Sequence, residues 1–226
     1  MPNSFPVAPA GVVISAGSRL HSIFYDLFAS IDAFTIAITG IIGAGIPKLE
    51  NIDLCAAFIG ARFDATIEIP WGWCFHDLLE NKPLTRDLYV RFRPIEAKLE
   101  IEQSMSKMIP KTTHLTTTFA EVAFIKYYEQ NIEFIKKISN NNIRLYPSPW
   151  DFARVVRNSI THNGINWSDK TLGQVSWYDL TYSHIDNGKT ISHVDLVLSD
   201  FIILIIEMDM FIKKTRQNSY VATALL

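Results

Sequence analysis

One stretch constrains this chain more than any other: Ser148 to Gly164, SPWDFARVVRNSITHNG, which carries a start signal, two chemically opposed faces and a stop signal. Serine is a preferred helix N-cap, Pro149 occupies the first turn where its missing N–H costs nothing, and Asp151 faces the positive end of the helix dipole. Gly164 supplies the terminator. The pattern predicts a helix from Pro149 to about His162. At about 100° per residue, Arg154, Arg157, Asn158, Thr161 and His162 fall within an arc of roughly 140°. Ala153, Val155, Val156, Ser159 and Ile160 fill the remainder. Such a helix has to lie on a core and present one polar face.

The rest of the chain can supply that core. With 226 residues, 48% hydrophobic and 19% charged, it suits one large folded domain and not a disordered one. The expected fold class is mainly α over a single domain, 1–226. A helical core occupies 115–213 with a β-hairpin inserted before the last helix, and 1–110 forms an N-terminal extension. A net charge of −2 and a pI near 6.3 exclude the broad basic footprint of duplex-DNA binders, but leave room for a local phosphate site.

No segment reads as a membrane span. Ala33 to Ile46 is apolar but falls short of the roughly 20 residues a span needs, so it reads as a buried core helix. Phe201 to Ile206 is bracketed by Asp195, Asp200, Glu207 and Asp209. The opening MPNSFPVAPAGVV lacks the basic and long apolar regions of a secretory signal, and a cytoplasmic location is expected. Cys55 and Cys74 read as buried, reduced thiols.

Residues 1–17, with three prolines, predict an extended arm. A helix follows from about Ser18 to Ile42, stopped by Gly43, Gly45 and Pro47. Leu54 to Pro110 predicts several short helices interrupted by Pro70, Pro83 and Pro94. Thr118 to Glu121 has a capping-box pattern and opens a helix to about Ile138. Val175 to His184, a turn at Asp186-Asn187-Gly188 and a return over Lys189 to Ile191 make the one expected hairpin. Ser192 to Asp195 then caps a last helix, with Val194, Val197, Leu198, Phe201, Ile202, Ile205 and Met208 on its apolar face.

The polar arc carries the chemistry. His162 sits at its border, near the negative pole of the helix. An imidazole can move a proton to or from a ribose 2′-hydroxyl or a leaving 5′-oxygen. The Arg157 guanidinium can hold a phosphate and offset its growing charge, and Asn158 can orient either group. With one histidine in the motif, acid and base must come from two chains or from water. The plainer reading is an amphipathic helix with a polar outer face.

The segment RNSITHNG, Arg157 to Gly164, resembles the Arg-x4–6-His motif of the HEPN superfamily, in which a small polar residue, commonly Asn, often follows the arginine. The resemblance extends over about 115–213 and is specific only in the eight-residue motif. It implies a HEPN-like helical bundle that forms a homodimer, bringing two motifs to one cleft. It also implies metal-independent endoribonuclease activity of toxin–antitoxin or antiphage type, with an antitoxin-like partner protein. By match of motif, Arg157, His162 and Asn158 are catalytic, and Arg154, Thr161 and Asn163 are substrate-binding. The alternative is a non-catalytic HEPN-like interaction or ligand-sensing module.

Other patterns yield structural readings. Cys74 and His76 share a face only on a strand. His114, His184 and His193 lack metal-ligand spacing, so neither metal nor cofactor is expected. Gly40, Gly43 and Gly45 are not followed by a phosphate-loop lysine. Trp71, Trp73 and Phe75, like Trp177, Tyr178 and Tyr182, read as core or dimer packing groups, with stacking on unpaired RNA bases as the alternative. Arg86, Arg91 and Arg93, with Tyr89 and Phe92, form the one other basic patch, read as a solvated face, with a substrate-contacting surface as the alternative.

Overall fold

The computed structural model describes residues 11–41, 55–59, 65–70, 73–81, 87–94, 113–167 and 169–224. Among them the chain is mainly helical, with a two-stranded antiparallel hairpin before the last helix. It divides into two compact units, residues 1–123 with 197–199, and residues 124–196 with 200–226.

In the first unit, strands β1 (Gly11–Ile14), β2 (Cys55–Ile59), β3 (Ala65–Pro70) and β4 (Leu88–Pro94) form an antiparallel sheet in the order β1-β4-β3-β2. This corrects two expectations. Residues 11–14 are an edge strand, pairing Ile14 with Leu88 and Gly11 with Arg91, not part of a free arm. Among its described residues, the segment read as short helices is mostly strand, with the short helix α2 (Trp73–Leu79). Pro70 and Pro94 end their strands, where a missing N–H removes little from the ladder. Leu88 and Val90, alternate residues of β4 on one face of the sheet, are both buried.

Helix α1 (Arg19–Ile41) begins where expected, with the Ser18 hydroxyl accepting the His21 N–H at 3.1 Å. Its core side includes Leu20, Ile23, Phe24, Leu27, Phe28 and Ile31. Within the apolar stretch after Asp32, Ala33 to Ile36 are only half-buried, and Gly43, Gly45 and Pro47 lie outside the described residues. Cys74 is a buried free thiol whose carbonyl accepts the Tyr25 hydroxyl at 2.7 Å, and burial pushes the thiol pKa up. The side chains of Cys55, His76, Arg91 and Arg93 lie outside the described set, as does Arg86 altogether.

Helix α3 (Thr113–Ile138) starts five residues before the expected capping box, and Thr118 lies inside it, donating its hydroxyl to the His114 carbonyl at 3.1 Å. A 3₁₀ turn (Ile143–Leu145) leads to α4 (Ser148–Thr161). Pro147, not Ser148, holds the N-cap position of α4 and makes no side-chain cap. The Ser148 hydroxyl donates instead to the Ser176 carbonyl at 3.5 Å.

The hairpin is tighter than expected: β5 (Val175–Trp177) and β6 (Leu180–Tyr182) turn through Tyr178, at φ 51°, and Asp179. Asp186-Asn187-Gly188 therefore does not close it. The last helix, α5 (Leu198–Ala224), begins after Ser192–Asp195, which form a bridged turn in place of a cap. Its Leu198, Phe201, Ile202, Ile205 and Met208 are buried as expected, together with Ile203, Leu204 and Ile206, while Val194 is exposed.

Candidate functional site

The two faces of α4 appear as the periodicity requires. Phe152, Ala153, Val155, Val156 and Ser159 are buried, Arg154, Arg157 and Asn158 are half-buried, and Thr161 and His162 are exposed. Trp150 anchors the start of the helix, its ring in the core and its Nε1 donating to the Met208 carbonyl at 3.3 Å. Phe152 stacks on Trp177 and Tyr182 at centroid separations of 5.3 and 5.8 Å. These two rings of the second aromatic cluster are packing groups.

Arg157 is held from both sides. Its Nε donates to Glu129 Oε1 at 2.8 Å, with Nη2 at 2.7 Å from the same oxygen, and Nη1 donates to Asn158 Oδ1 at 3.4 Å. Arg154 donates Nε and Nη2 to Asp151 Oδ1 at 3.0 and 2.8 Å, and its guanidinium lies over the Trp167 ring at 5.6 Å. Both guanidiniums thus keep unspent N–H groups while their planes are fixed, the arrangement that suits an incoming oxyanion. Thr161 turns its hydroxyl back onto its own helix, 3.1 Å from the Arg157 carbonyl and 3.3 Å from that of Asn158.

The helix exit positions His162. Its backbone N–H donates to the Asn158 carbonyl at 3.0 Å, Asn163 adopts the left-handed conformation at φ 57°, and the Gly164 N–H reaches back to Ser159 at 2.8 Å. This is a Schellman-type closure with asparagine in the left-handed position. Asn163, named by motif as substrate-binding, has the conformational task of ending the helix. Gly164, at φ 147°, presses against the turn at Gly188, and Ile165 exchanges backbone hydrogen bonds with Gly188 and Lys189 at 2.8 and 2.9 Å. The Asn187 side chain extends the latch, accepting the Trp167 N–H at 2.6 Å. The Asp-Asn-Gly sequence read as a hairpin turn is thus the surface on which the motif helix ends.

Three residues of the site were missed in the sequence. Glu129, Tyr128 and Tyr146 stand well before the motif, and no local spacing links them to it. Burial raises the Tyr128 hydroxyl pKa, with Tyr146 reinforcing the effect and Arg154 and Arg157 opposing it. Burial likewise raises that of Tyr146, opposed by Lys136 and Arg154. Both phenols are therefore neutral donors over the physiological range. Among the described residues no group of three or more His, Cys, Asp or Glu is arranged to hold a metal ion, and no helix is long and apolar enough to cross a membrane. Comparison of the chain with protein-family models, with curated proteins and with solved structures finds no match.

Proposed function

We propose that this chain is a metal-independent endoribonuclease of the kind the HEPN resemblance implies, acting as a homodimer with a composite site. The observation that carries the reading is the Arg157 guanidinium, fixed by Glu129 and Asn158 on the same arc that ends at the exposed imidazole of His162. In this reading one His162 takes the proton from a ribose 2′-hydroxyl as its oxygen bonds to phosphorus. The P–O5′ bond breaks, and the leaving oxygen takes a proton from His162 of the partner subunit. Arg157 offsets the charge on the phosphorane oxygens and Asn158 keeps its plane. Arg154, Thr161 and Asn163 contact the substrate strand.

The test is cleavage of single-stranded and structured RNAs by the purified protein. His162→Ala is expected to lower the rate by about 10²–10⁴-fold and Arg157→Ala by about 10²–10³-fold, with Asn158→Ala milder. Val156→Asp should unfold the protein by burying a charge. Light scattering should report about twice the chain mass of 25.7 kDa, and a chelator should leave the rate unchanged. Unaltered cleavage by His162→Ala, or a strictly monomeric active protein, sinks the proposal. A second reading, a non-catalytic interaction or ligand-sensing module, is favoured by the carboxylate of Glu129 on Arg157. A folded, dimeric protein inert toward every RNA would select it.

A further inference from the structure

Glu129 on α3 and Arg157 on α4 stand 28 residues apart in the chain and meet in an ion pair, Nη2 to Oε1 at 2.7 Å. Their side chains are 47% and 32% exposed, and a pair so exposed adds little to stability. The geometry of the pair matters more than its strength. One carboxylate oxygen takes both Nη2 and the Nε–H, the latter at 2.8 Å, so the side edge of the guanidinium is closed. Nη1 gives one N–H to Asn158 Oδ1 at 3.4 Å. A guanidinium carries five N–H groups. Among the described residues, one on each terminal nitrogen is left unspent, and two such donors suit a bidentate oxyanion.

Arg154 repeats the arrangement three residues earlier, its Nε and Nη2 both donating to Asp151 Oδ1 at 3.0 and 2.8 Å. Asp151 has a separate reason for its place, since it lies in the first turn of α4, at the positive end of the dipole. Glu129 has none of that kind, because it lies more than a turn from either end of α3. At both positions the guanidinium keeps donors while a carboxylate matches its charge. An anion held by Arg157 is therefore attracted by the guanidinium and repelled, from one group farther out, by Glu129.

That balance bears on two kinds of phosphate. An internal phosphodiester carries one negative charge. A terminal phosphomonoester carries about −1.5 to −2 at neutral pH. A bare guanidinium favours the monoester, because attraction grows with charge. The repulsion from Glu129 grows in the same way and subtracts most from the monoester. We propose that Glu129 is the specificity-determining residue of the Arg157 site. It is a charge filter that removes the advantage of terminal phosphomonoesters and so leaves the site to the internal phosphodiesters of RNA. That the phosphodiester belongs to RNA rests on the ribonuclease reading; the charge preference does not.

The experiment titrates the whole protein with 2′-O-methyluridine 3′-phosphate, a monoester, and with its methyl ester, a diester. Neither has the attacking hydroxyl, so binding is read apart from cleavage. NMR follows the arginine Nε–H resonance that Arg157→Lys removes. Glu129→Gln keeps an acceptor for Nε and Nη2 and takes away only the charge. A unit charge about 6 Å away, at an effective dielectric of about 60, is worth roughly fivefold in affinity. The diester should therefore bind Glu129→Gln about fivefold more tightly than wild type, and the monoester on the order of fifteenfold. The ratio of the two Kd values should shift by about threefold toward the monoester. In the wild type the diester should bind at least as well as the monoester. A wild type that prefers the monoester severalfold, or binds neither probe, overturns the filter without recourse to the variant. An unchanged ratio in a folded Glu129→Gln overturns it too, because a residue that merely holds the side chain alters both probes alike. A protein that shows the shifted ratio but cleaves no RNA keeps the filter and discards the nuclease. One that cleaves RNA with an unchanged ratio does the reverse.

Discussion

At Gly164 a single hydrogen atom decides where His162 stands. A Cβ there would lie 2.8 Å from the Gly188 carbonyl oxygen and 3.0 Å from its carbon, both backbone atoms that cannot swing aside. The φ of 147° is also one that L side chains avoid. Strain of this kind costs about 1–3 kcal/mol, and forcing the two backbones apart adds a comparable penalty. Gly164→Ala is therefore expected to lower stability by roughly 2–5 kcal/mol, read as a fall in the urea midpoint. Gly188→Ala should cost less, since its own Cβ would meet nothing within 4 Å although its φ of 83° is positive. Equal losses at both positions would show that the close approach is not what matters. By contrast, Arg157 and Glu129 are partly exposed, and cutting their ion pair should cost only about 0.2–1 kcal/mol.

At the scale of elements, Glu207 on α5 ties the hairpin to the last helix. Its Oε2 accepts the Trp177 indole N–H at 2.7 Å, and its Oε1 accepts the Tyr178 hydroxyl. Glu207→Gln turns an amide toward one of those donors, so about 1–3 kcal/mol should be lost. Tyr178→Phe should then cost less in the Gln background than in the wild type, a coupling that a double-mutant cycle in urea reads directly. Additive effects would mean that the carboxylate does not bridge the pair. The sequence made the start of α1, the end of α3, and α4 legible because each carries a 3.6-residue apolar stripe, to which α4 adds start and stop chemistry. The sheet was misread because CAAFI, ATIEIP and LYVRFRP were judged by the prolines near them, when those prolines sit at strand ends. The Asp-Asn-Gly turn was assigned to the wrong partner, since turn chemistry does not say what the turn packs on. Of the site, the arc of Arg157, Asn158 and His162 could be read from one helix. Glu129 could not, because its pairing spans 28 residues and only the packing of α3 on α4 brings it near.

At the scale of the whole molecule, buried phenols bind stability to alkaline pH. The Tyr25 hydroxyl pKa is pushed up to about 12, first by burial and then by Cys74 and the acids Asp77, Asp26 and Asp32. Those of Tyr128 and Tyr178 are raised too, each chiefly by burial, with the Glu207 carboxylate adding to the effect at Tyr178. An unfolded tyrosine loses its proton near pH 10, approximately the reference value. Below that pH both states are protonated, and the contribution is fully present. Above it the unfolded chain binds fewer protons than the folded one, so stability falls as pH rises and goes on falling until the folded pKa is passed. Each such tyrosine can add up to about 1.4 kcal/mol per pH unit to the slope. The urea midpoint should therefore hold from about pH 8 to 9.5 and decline steeply by about pH 11. The decline should be shallower in Tyr25→Phe and in Tyr178→Phe, because phenylalanine has no proton to lose. If either variant keeps the full wild-type slope, its tyrosine is not the group that links folding to pH. If the midpoint is flat to pH 11, the phenols ionise as readily in the folded chain as in the unfolded one, and their burial must be relieved by water.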